Sequence, residues 1–188
     1  MIKIIGGNFK KTNLEVPLNF VRPTSAIKRE AIFSVLESYA HKNSINIYKD
    51  MAILDLFAGS GSVGLEAISR GMSVGYFVEV NKEVLEILKK NCMKICKKNQ
   101  FEIINDDVKN IFNDSFNFPI SLIFIDPPYK KFNLKNLLIN IASSKLTNKN
   151  TIIVIETHIK DNFIIPKNFN IIKKKSYGQT NIYFFKLT

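Results

Sequence analysis

A glycine-rich segment is the first part of the sequence whose residue types and spacing could bind a ligand. Gly59, Gly61 and Gly64 follow an apolar run and precede a helical pattern. Glycines at such a strand-to-helix turn let the backbone approach a ligand, and the free N–H groups at the helix start attract polar atoms. The spacing matches the dinucleotide fingerprint, and Glu79 ends the next apolar run, where a carboxylate can hold the two ribose hydroxyls of an adenosine. NAD and S-adenosylmethionine both carry that ribose, so these residues alone do not decide between them.

Two carboxylates favour S-adenosylmethionine over NAD. Asp55 directly precedes the glycine segment, where it would repel a pyrophosphate but tolerate a cationic aminoacyl or sulfonium group. Asp126 ends a later apolar run and is followed by Pro127, Pro128 and Tyr129. Prolines commonly end strands, but here they also leave the Pro127 carbonyl without a strand partner, next to the Asp126 carboxylate. The aromatic ring of Tyr129 can stack on a flat base.

The Asp126-Pro127-Pro128-Tyr129 tetrad resembles that of the amino-methyltransferases, which methylate exocyclic amines of nucleic-acid bases. Such an amine is a poor nucleophile because its lone pair is delocalised into the ring. Two acceptors, the Asp126 carboxylate and the Pro127 carbonyl, can hold both N–H bonds and turn the lone pair toward a methyl donor. Catalysis would then rest on orientation and electrostatics, and the base must leave its stack or lie in a loop to enter the pocket.

The same resemblance implies a further contact to the cofactor after the third strand. Asp106, Asp107 and Val108 stand where such enzymes hold the adenine of S-adenosylmethionine. The spacing from the strand favours Asp107 over Asp106, with Val108 beside it. Either aspartate could instead, or in addition, cap a short helix over residues 108–112.

The two ends of the chain resemble a narrower family, the bacterial small-subunit rRNA guanine-N2 methyltransferases of the RsmD type. The resemblance lies in residues 3–7, in Arg22-Pro23-Thr24, in residues 29–33 and in residues 177–180. It implies N2-methylation of a guanine in 16S rRNA, with the 30S particle as the substrate. Ala26-Ile27 and Lys11-Thr12 depart from the usual family pattern, which affects the rRNA contacts and leaves the chemistry intact.

Charge is consistent with a polyanionic partner. The 188 residues contain 27 Lys and Arg against 16 Asp and Glu, for a net charge of +11. Such an excess fits nucleic acid better than an acidic protein or a small cation. We expect phosphate contacts from five basic residues of the N-terminal segment: Lys3, Lys10, Lys11, Arg22 and Arg29.

The elements that must position these residues follow from hydrophobic patterning. Nearly continuous apolar runs predict strands covered on both faces, and the helical patterns between them predict a parallel sheet. The runs cover residues 52–57, 74–80, 101–104, 120–125 and 151–155. A helix is predicted over residues 82–98, and residues 169–173 and 182–187 predict an antiparallel hairpin. The expected fold is α/β, a Rossmann-like methyltransferase with a seven-stranded, mostly parallel sheet.

The first fifty residues differ from this pattern and are expected to form an RNA-contacting appendage. They contain a short β-prone stretch and a helix capped by Thr24 or Ser25, in which Ile27, Ala31, Val35 and Tyr39 recur at helical spacing. The predicted division is therefore 1–50 for the appendage and 51–188 for the methyltransferase domain, in one compact unit.

Three other functions compete with rRNA methylation. A DNA adenine-N6 methyltransferase can carry the same tetrad but usually needs a target-recognition domain, for which 188 residues leave no room. A nicotinamide-dependent oxidoreductase leaves the tetrad unexplained, and a non-catalytic assembly factor would not need it. No metal site is expected. The absence of an apolar signal core or an 18-residue apolar run predicts a cytoplasmic protein without a membrane partner.

Overall fold

A seven-stranded mixed sheet forms the centre of the molecule. The computed structural model describes residues 2–17, 24–128, 132–161 and 164–188. The strands of the sheet span Ala52–Asp55 (β3), Val74–Val78 (β4), Phe101–Ile104 (β5), Ile120–Ile125 (β6), Ile152–His158 (β7), Phe169–Tyr177 (β8) and Thr180–Leu187 (β9). Their order across the sheet is β5-β4-β3-β6-β7-β9-β8. The first five are parallel to one another, β9 is antiparallel to β7, and β8 is antiparallel to β9. The predicted fold class is confirmed.

Helices cover both faces of the sheet, which is why the central strands are apolar on both sides. The helices are Ala26–Lys42 (α1), Ser62–Ser69 (α2), Lys82–Ile95 (α3) and Leu134–Ser143 (α4). On one face, Ile53 and Leu122 pack with side chains of α1 and α2. On the other, Leu54 and Ile123 pack with side chains of α4. Every residue of β3, β4 and β6 is buried, as expected for parallel strands covered by helices.

The helix predicted near the N-terminus is confirmed as α1. Of the predicted stripe, Val35 and Tyr39 are partly buried against the core, but the fully buried face lies beside the stripe. The buried apolar residues are Ile32, Phe33, Leu36 and Ala40, while Ile27 is 71% exposed. The helix has apolar residues on more than one side, so spacing alone does not identify the docked face.

The N-terminal segment packs along α2 and α3. Two short strands, Ile2–Lys3 (β1) and Asn13–Leu14 (β2), form an antiparallel pair. Ile4 and Leu14 are buried against residues of α2 and α3. The backbone N–H groups of Ile5 and Gly6 donate to the buried Glu66 carboxylate at 2.9 and 2.7 Å. These bonds fix the segment to the helix that begins at the glycine loop.

Element ends shift by a few residues from the predicted positions. Helix α3 ends at Ile95 instead of Lys98, and β8 extends to Tyr177. A 3₁₀ turn over Ile111–Asn113 replaces the helix predicted for 108–112. In the described part of the chain, no helix combines the length and apolarity needed to cross a membrane.

Candidate active site

The carboxyl ends of the parallel strands bring the predicted ligand-binding residues to one edge of the sheet. Asp55 is the last residue of β3 and pairs in register with Phe77 of β4 and Phe124 of β6. Glu79 and Asp126 directly follow those neighbouring strands. Strand β5 pairs with β4, with Ile104 of β5 opposite Val78 of β4, and Asp107 lies in the turn that follows β5. Ligands of open α/β sheets bind at this edge.

The glycine loop has the backbone geometry that its sequence predicts. Gly59 and Gly61 have φ values of 53° and 77°, and Gly61 is the N-cap of α2. A Cβ at Gly61 would lie 2.6 Å from Leu88 Cδ1. Positive φ together with this close approach explains why residue 61 is glycine. The third glycine, Gly64, lies inside α2, where a Cβ would meet the Phe77 ring.

The Glu79 carboxylate is held against the glycine loop. Its Oε2 accepts the Gly59 N–H at 3.0 Å, and its Oε1 accepts the N–H groups of Val80 and Asn81, each at 2.9 Å. These three bonds fix the carboxylate between the loop and the end of β4. Oε2 keeps acceptor capacity, so Glu79 can bind a diol without leaving the loop.

Asp55 is a buried carboxylate with unused acceptor capacity. It is 1% exposed and accepts hydrogen bonds from the backbone N–H groups of Gly64 and Phe57. Its Oδ1 has no hydrogen-bond partner among the described residues. Burial, opposed by those hydrogen bonds, raises the pKa of Asp55 to about 7. An unsatisfied buried carboxylate oxygen is costly, and a cationic ligand group at this edge would compensate it.

The turn after β5 holds its aspartates in local hydrogen bonds. Asp107 Oδ1 accepts the Lys109 N–H at 2.9 Å, and Asp106 Oδ1 accepts the Asp107 N–H at 2.6 Å. Asp107 is half-buried while Asp106 is exposed. The side chain of Val108 is 4% exposed and packs in the core, so Val108 offers a ligand its backbone atoms.

Asp126 lies among charged groups that the sequence analysis did not identify. Ile125 and Ile155 are register partners, so Asp126 and Glu156 follow at neighbouring positions. Glu156 is 2% exposed and forms an ion pair with Lys28 of α1. The Thr24 side chain hydrogen-bonds to Asp126. One signal in the sequence could have revealed Glu156, because it is a lone carboxylate directly after the apolar run 151–155, as Asp126 is after the run 120–125.

These neighbours set the protonation of Asp126. Burial and the negative charge of Glu156 raise the pKa of Asp126 well above its ordinary value, and Asp55 adds to this. The Lys28 ammonium and the Thr24 hydrogen bond act in the opposite direction. Asp126 is therefore a stronger base than an exposed aspartate.

The basic residues expected to contact RNA divide into two groups in the structure. Lys3, Lys10 and Lys11 are exposed. The segment carrying Lys10 and Lys11 is bound to the C-terminal end of α2, where the Asn8 N–H donates to the Ser69 carbonyl at 2.7 Å. Helix α2 rises about 12 Å over its eight residues, so these lysines lie away from the glycine loop.

The role expected for Arg29 is wrong. Arg29 is 1% exposed and donates to the carbonyl oxygens of Thr24 and Lys3 at 2.5 and 2.6 Å, with Glu66 3.9 Å away. These contacts join α1 to the N-terminal segment and keep the guanidinium from a phosphate. Arg22 and Tyr129 lie outside the described residues, while Pro127 directly follows Asp126 and is half-buried.

Metal-ligating residues do not cluster in the described ranges, where no group of three or more His, Cys, Asp or Glu side chains could hold an ion. The candidate site at this sheet edge comprises Asp55, the glycine loop, Glu79, the turn after β5 and Asp126 with its charged neighbours.

Comparison with known proteins places the chain in a family. The profile of the family described as Conserved hypothetical protein 95 matches residues 2–186. Ribosomal RNA small subunit methyltransferase D of Buchnera aphidicola is 35% identical over 98% of this chain and 92% of its own length. The Haemophilus influenzae protein of the same name is 34% identical over 94% and 89%. A solved structure from Escherichia coli, described as a candidate methyltransferase, superposes with a TM-score of 0.82 at 25% identity, covering 99% of this chain and 97% of that one. The chain belongs to the Conserved hypothetical protein 95 family, together with the ribosomal RNA small subunit methyltransferase D proteins.

Proposed function

We propose that this protein transfers a methyl group from S-adenosylmethionine to the exocyclic N2 amine of a guanine in 16S rRNA. The observation that carries the proposal is the position of Asp126. Asp126 directly follows β6, and β6 pairs with β3, the strand that ends at Asp55 before the glycine loop. An amine bound by Asp126 would therefore face a ligand bound by that loop.

The residues at the glycine loop fit S-adenosylmethionine. The unpartnered oxygen of buried Asp55 suits the cationic part of that ligand. Glu79 offers a carboxylate for the ribose hydroxyls, and Asp107 with the Val108 backbone lies after the adjacent strand, where the adenine would be held. The positive-φ glycines leave room for close backbone approach. When bound, the sulfonium supplies an electrophilic methyl group.

Asp126 and Pro127 prepare the amine for attack. The Asp126 carboxylate and the Pro127 carbonyl each accept one N–H of the target, which directs the nitrogen lone pair away from them. As the C–N bond forms the nitrogen becomes cationic and must lose a proton. Asp126 is positioned to take it, and its raised pKa makes it a better acceptor than an ordinary aspartate. Tyr129, the last residue of the tetrad, would stack on the base.

The choice of RNA substrate rests on the relatives and on charge. The two curated relatives described above are named as methyltransferases of small-subunit ribosomal RNA. The chain carries a net charge of +11, and Lys3, Lys10 and Lys11 are exposed for phosphate contact. We take the 30S particle as the substrate and the cytoplasm, where such particles assemble, as the place of action.

Product analysis with purified 30S particles tests the proposal. Particles from cells lacking the gene are incubated with radiolabelled S-adenosylmethionine and then digested to nucleosides. Wild-type protein should yield N2-methylguanosine, and Asp126→Ala should lower the single-turnover rate by roughly 10²-fold or more. Asp114→Asn, which changes an exposed aspartate, is the control.

Three outcomes would contradict the proposal in different ways. Full activity of Asp126→Ala would refute the orientation of the amine by Asp126. N6-methyladenosine as the product would refute guanine as the target. Wild-type protein that transfers no methyl group would favour a non-catalytic RNA-binding role.

A further inference from the structure

Three adjacent side chains beside the candidate active site form a row of one donor and two acceptors. The ion pair joins Lys28 to Glu156, and the strand register places Glu156 next to Asp126. Lys28 lies in the first turn of α1, three residues after the N-cap Ser25. Thr24, which directly precedes that N-cap, hydrogen-bonds to Asp126. We call these three residues the Lys28–Glu156–Asp126 row.

One carboxylate oxygen of Glu156 accepts no hydrogen bond from the described residues. One oxygen of its carboxylate binds Lys28, and the other, Oε2, is buried without a hydrogen-bond partner among the described residues. The side chain is only 2% exposed, so water does not freely compensate it. Leaving a buried charged acceptor unsatisfied costs free energy. Such an atom beside a candidate catalytic carboxylate is a position for a hydrogen-bond donor of the substrate.

The donor and acceptor order of the row matches one edge of one base. Along its Watson–Crick edge, guanine presents the O6 acceptor, the N1–H donor and the N2 amine donor. We propose that Lys28 donates to O6, Glu156 accepts the N1–H and Asp126 accepts an N2–H, so that the row selects guanine. This inference rests on the proposed function, because it takes the N2 amine as the reacting group.

Other bases would meet this row unfavourably. Adenine places an amine opposite Lys28 and an unprotonated N1 opposite Glu156, and cytosine presents an amine and an unprotonated N3 in the same order. Each pairing sets donor against donor and acceptor against acceptor. A site that leaves its own buried polar groups unpaired rejects the wrong substrate strongly, by up to about 10⁴–10⁵-fold.

A substrate analogue separates base reading from the chemistry. The guanosine that wild-type protein methylates is first mapped, then replaced by 2,6-diaminopurine riboside through splinted ligation before the particle is assembled. The analogue keeps the reacting 2-amine but has an unprotonated N1 and an amine in place of O6. Wild-type protein should prefer guanosine by at least about 10²-fold in kcat/KM. In Glu156→Gln the side-chain amide can donate to the unprotonated N1, so the preference should fall below 10-fold.

Lys28→Met gives a second test that does not depend on the folding of the Glu156 variant. It removes the donor that opposes the 6-amine, so the preference for guanosine should again fall by at least about 10-fold. Lys42→Met, at the exposed C-terminal end of the same helix, should keep the wild-type preference. Thermal unfolding and S-adenosylmethionine binding are measured for each variant.

The results distinguish this inference from the proposed function. If wild-type protein makes no N2-methylguanosine on guanosine particles, the proposed function fails. The inference is overturned if wild-type protein methylates guanosine and the analogue equally. It is also overturned if both variants lose stability but keep the wild-type preference. In either case Lys28 and Glu156 form an ion pair that only stabilises the fold.

Discussion

Replacement of Asp55 by asparagine should change how the stability of the protein depends on pH. Burial raises the pKa of Asp55 from 3.8 to about 7. Between these pH values the folded protein keeps a proton on Asp55 that the unfolded chain has lost. The unfolding free energy therefore falls as pH rises through this window. Over the whole window the unfolding free energy falls by about 4 kcal/mol. About 2–3 kcal/mol of this loss occurs between pH 5 and pH 8.

Urea denaturation at pH 5 and pH 8 measures this effect. Asparagine does not titrate, so the stability of Asp55→Asn relative to wild type should increase by about 2–3 kcal/mol between the two pH values. The control Asp114→Asn removes an exposed carboxyl group and gives the contribution of a solvent-exposed aspartate to the same profile. A relative stability of Asp55→Asn that stays constant with pH would show that burial does not raise this pKa.

The same variant connects stability with ligand binding. A cationic ligand beside Asp55 favours the ionised carboxylate and so releases a proton near pH 6. Calorimetry of S-adenosylmethionine binding in buffers of different ionisation enthalpy should detect this proton with wild-type protein but not with Asp55→Asn. Equal proton release from wild-type protein and from Asp55→Asn would show that the positive charge of the ligand does not lie beside Asp55.

Three further predictions concern the other contacts. Glu79→Ala should weaken S-adenosylmethionine binding by about 1.5–3 kcal/mol, measured by calorimetry, and an unchanged affinity would exclude Glu79 from the site. Joint replacement of Lys10 and Lys11 by alanine should weaken rRNA binding and lower its salt slope by about 1–2 while sparing cofactor affinity; a wild-type slope would mean that they touch no phosphate. Glu66→Gln should lower the unfolding free energy by about 3–5 kcal/mol because it leaves the buried Arg29 without its charge partner. The control Glu37→Gln, at a partly exposed ion pair, should cost under about 1 kcal/mol, and equal losses in urea denaturation would contradict this account.

Arg29 and Ile27 show where sequence reasoning went wrong. Both lie in a helix whose existence the spacing predicts, and both have the opposite exposure to that expected from residue type: Arg29 is 1% exposed and Ile27 is 71% exposed. The charge of Arg29 is balanced by Glu66 and by carbonyl oxygens from the preceding loop and the N-terminal segment. None of these partners is a helical neighbour of Arg29, so its local pattern carries no information about them.

The sequence by itself determined the features that depend on neighbours along the chain. Long apolar runs predict buried parallel strands, and a ligand site forms where such strands end, so the position of Asp55, Glu79 and Asp126 at one edge followed from local patterns. The glycine loop was equally local, because positive φ is a property of single residues.

Only the tertiary structure decided which distant side chains meet. The pairing of Lys28 with Glu156 joins α1 to β7, and the attachment of the Lys10 segment to the far end of α2 depends on hydrogen bonds across some sixty residues. Such contacts form because each helix packs with the face that gives the folded molecule its lowest free energy, by burying apolar surface and satisfying polar groups. That free energy is summed over the whole molecule, so no single segment contains it.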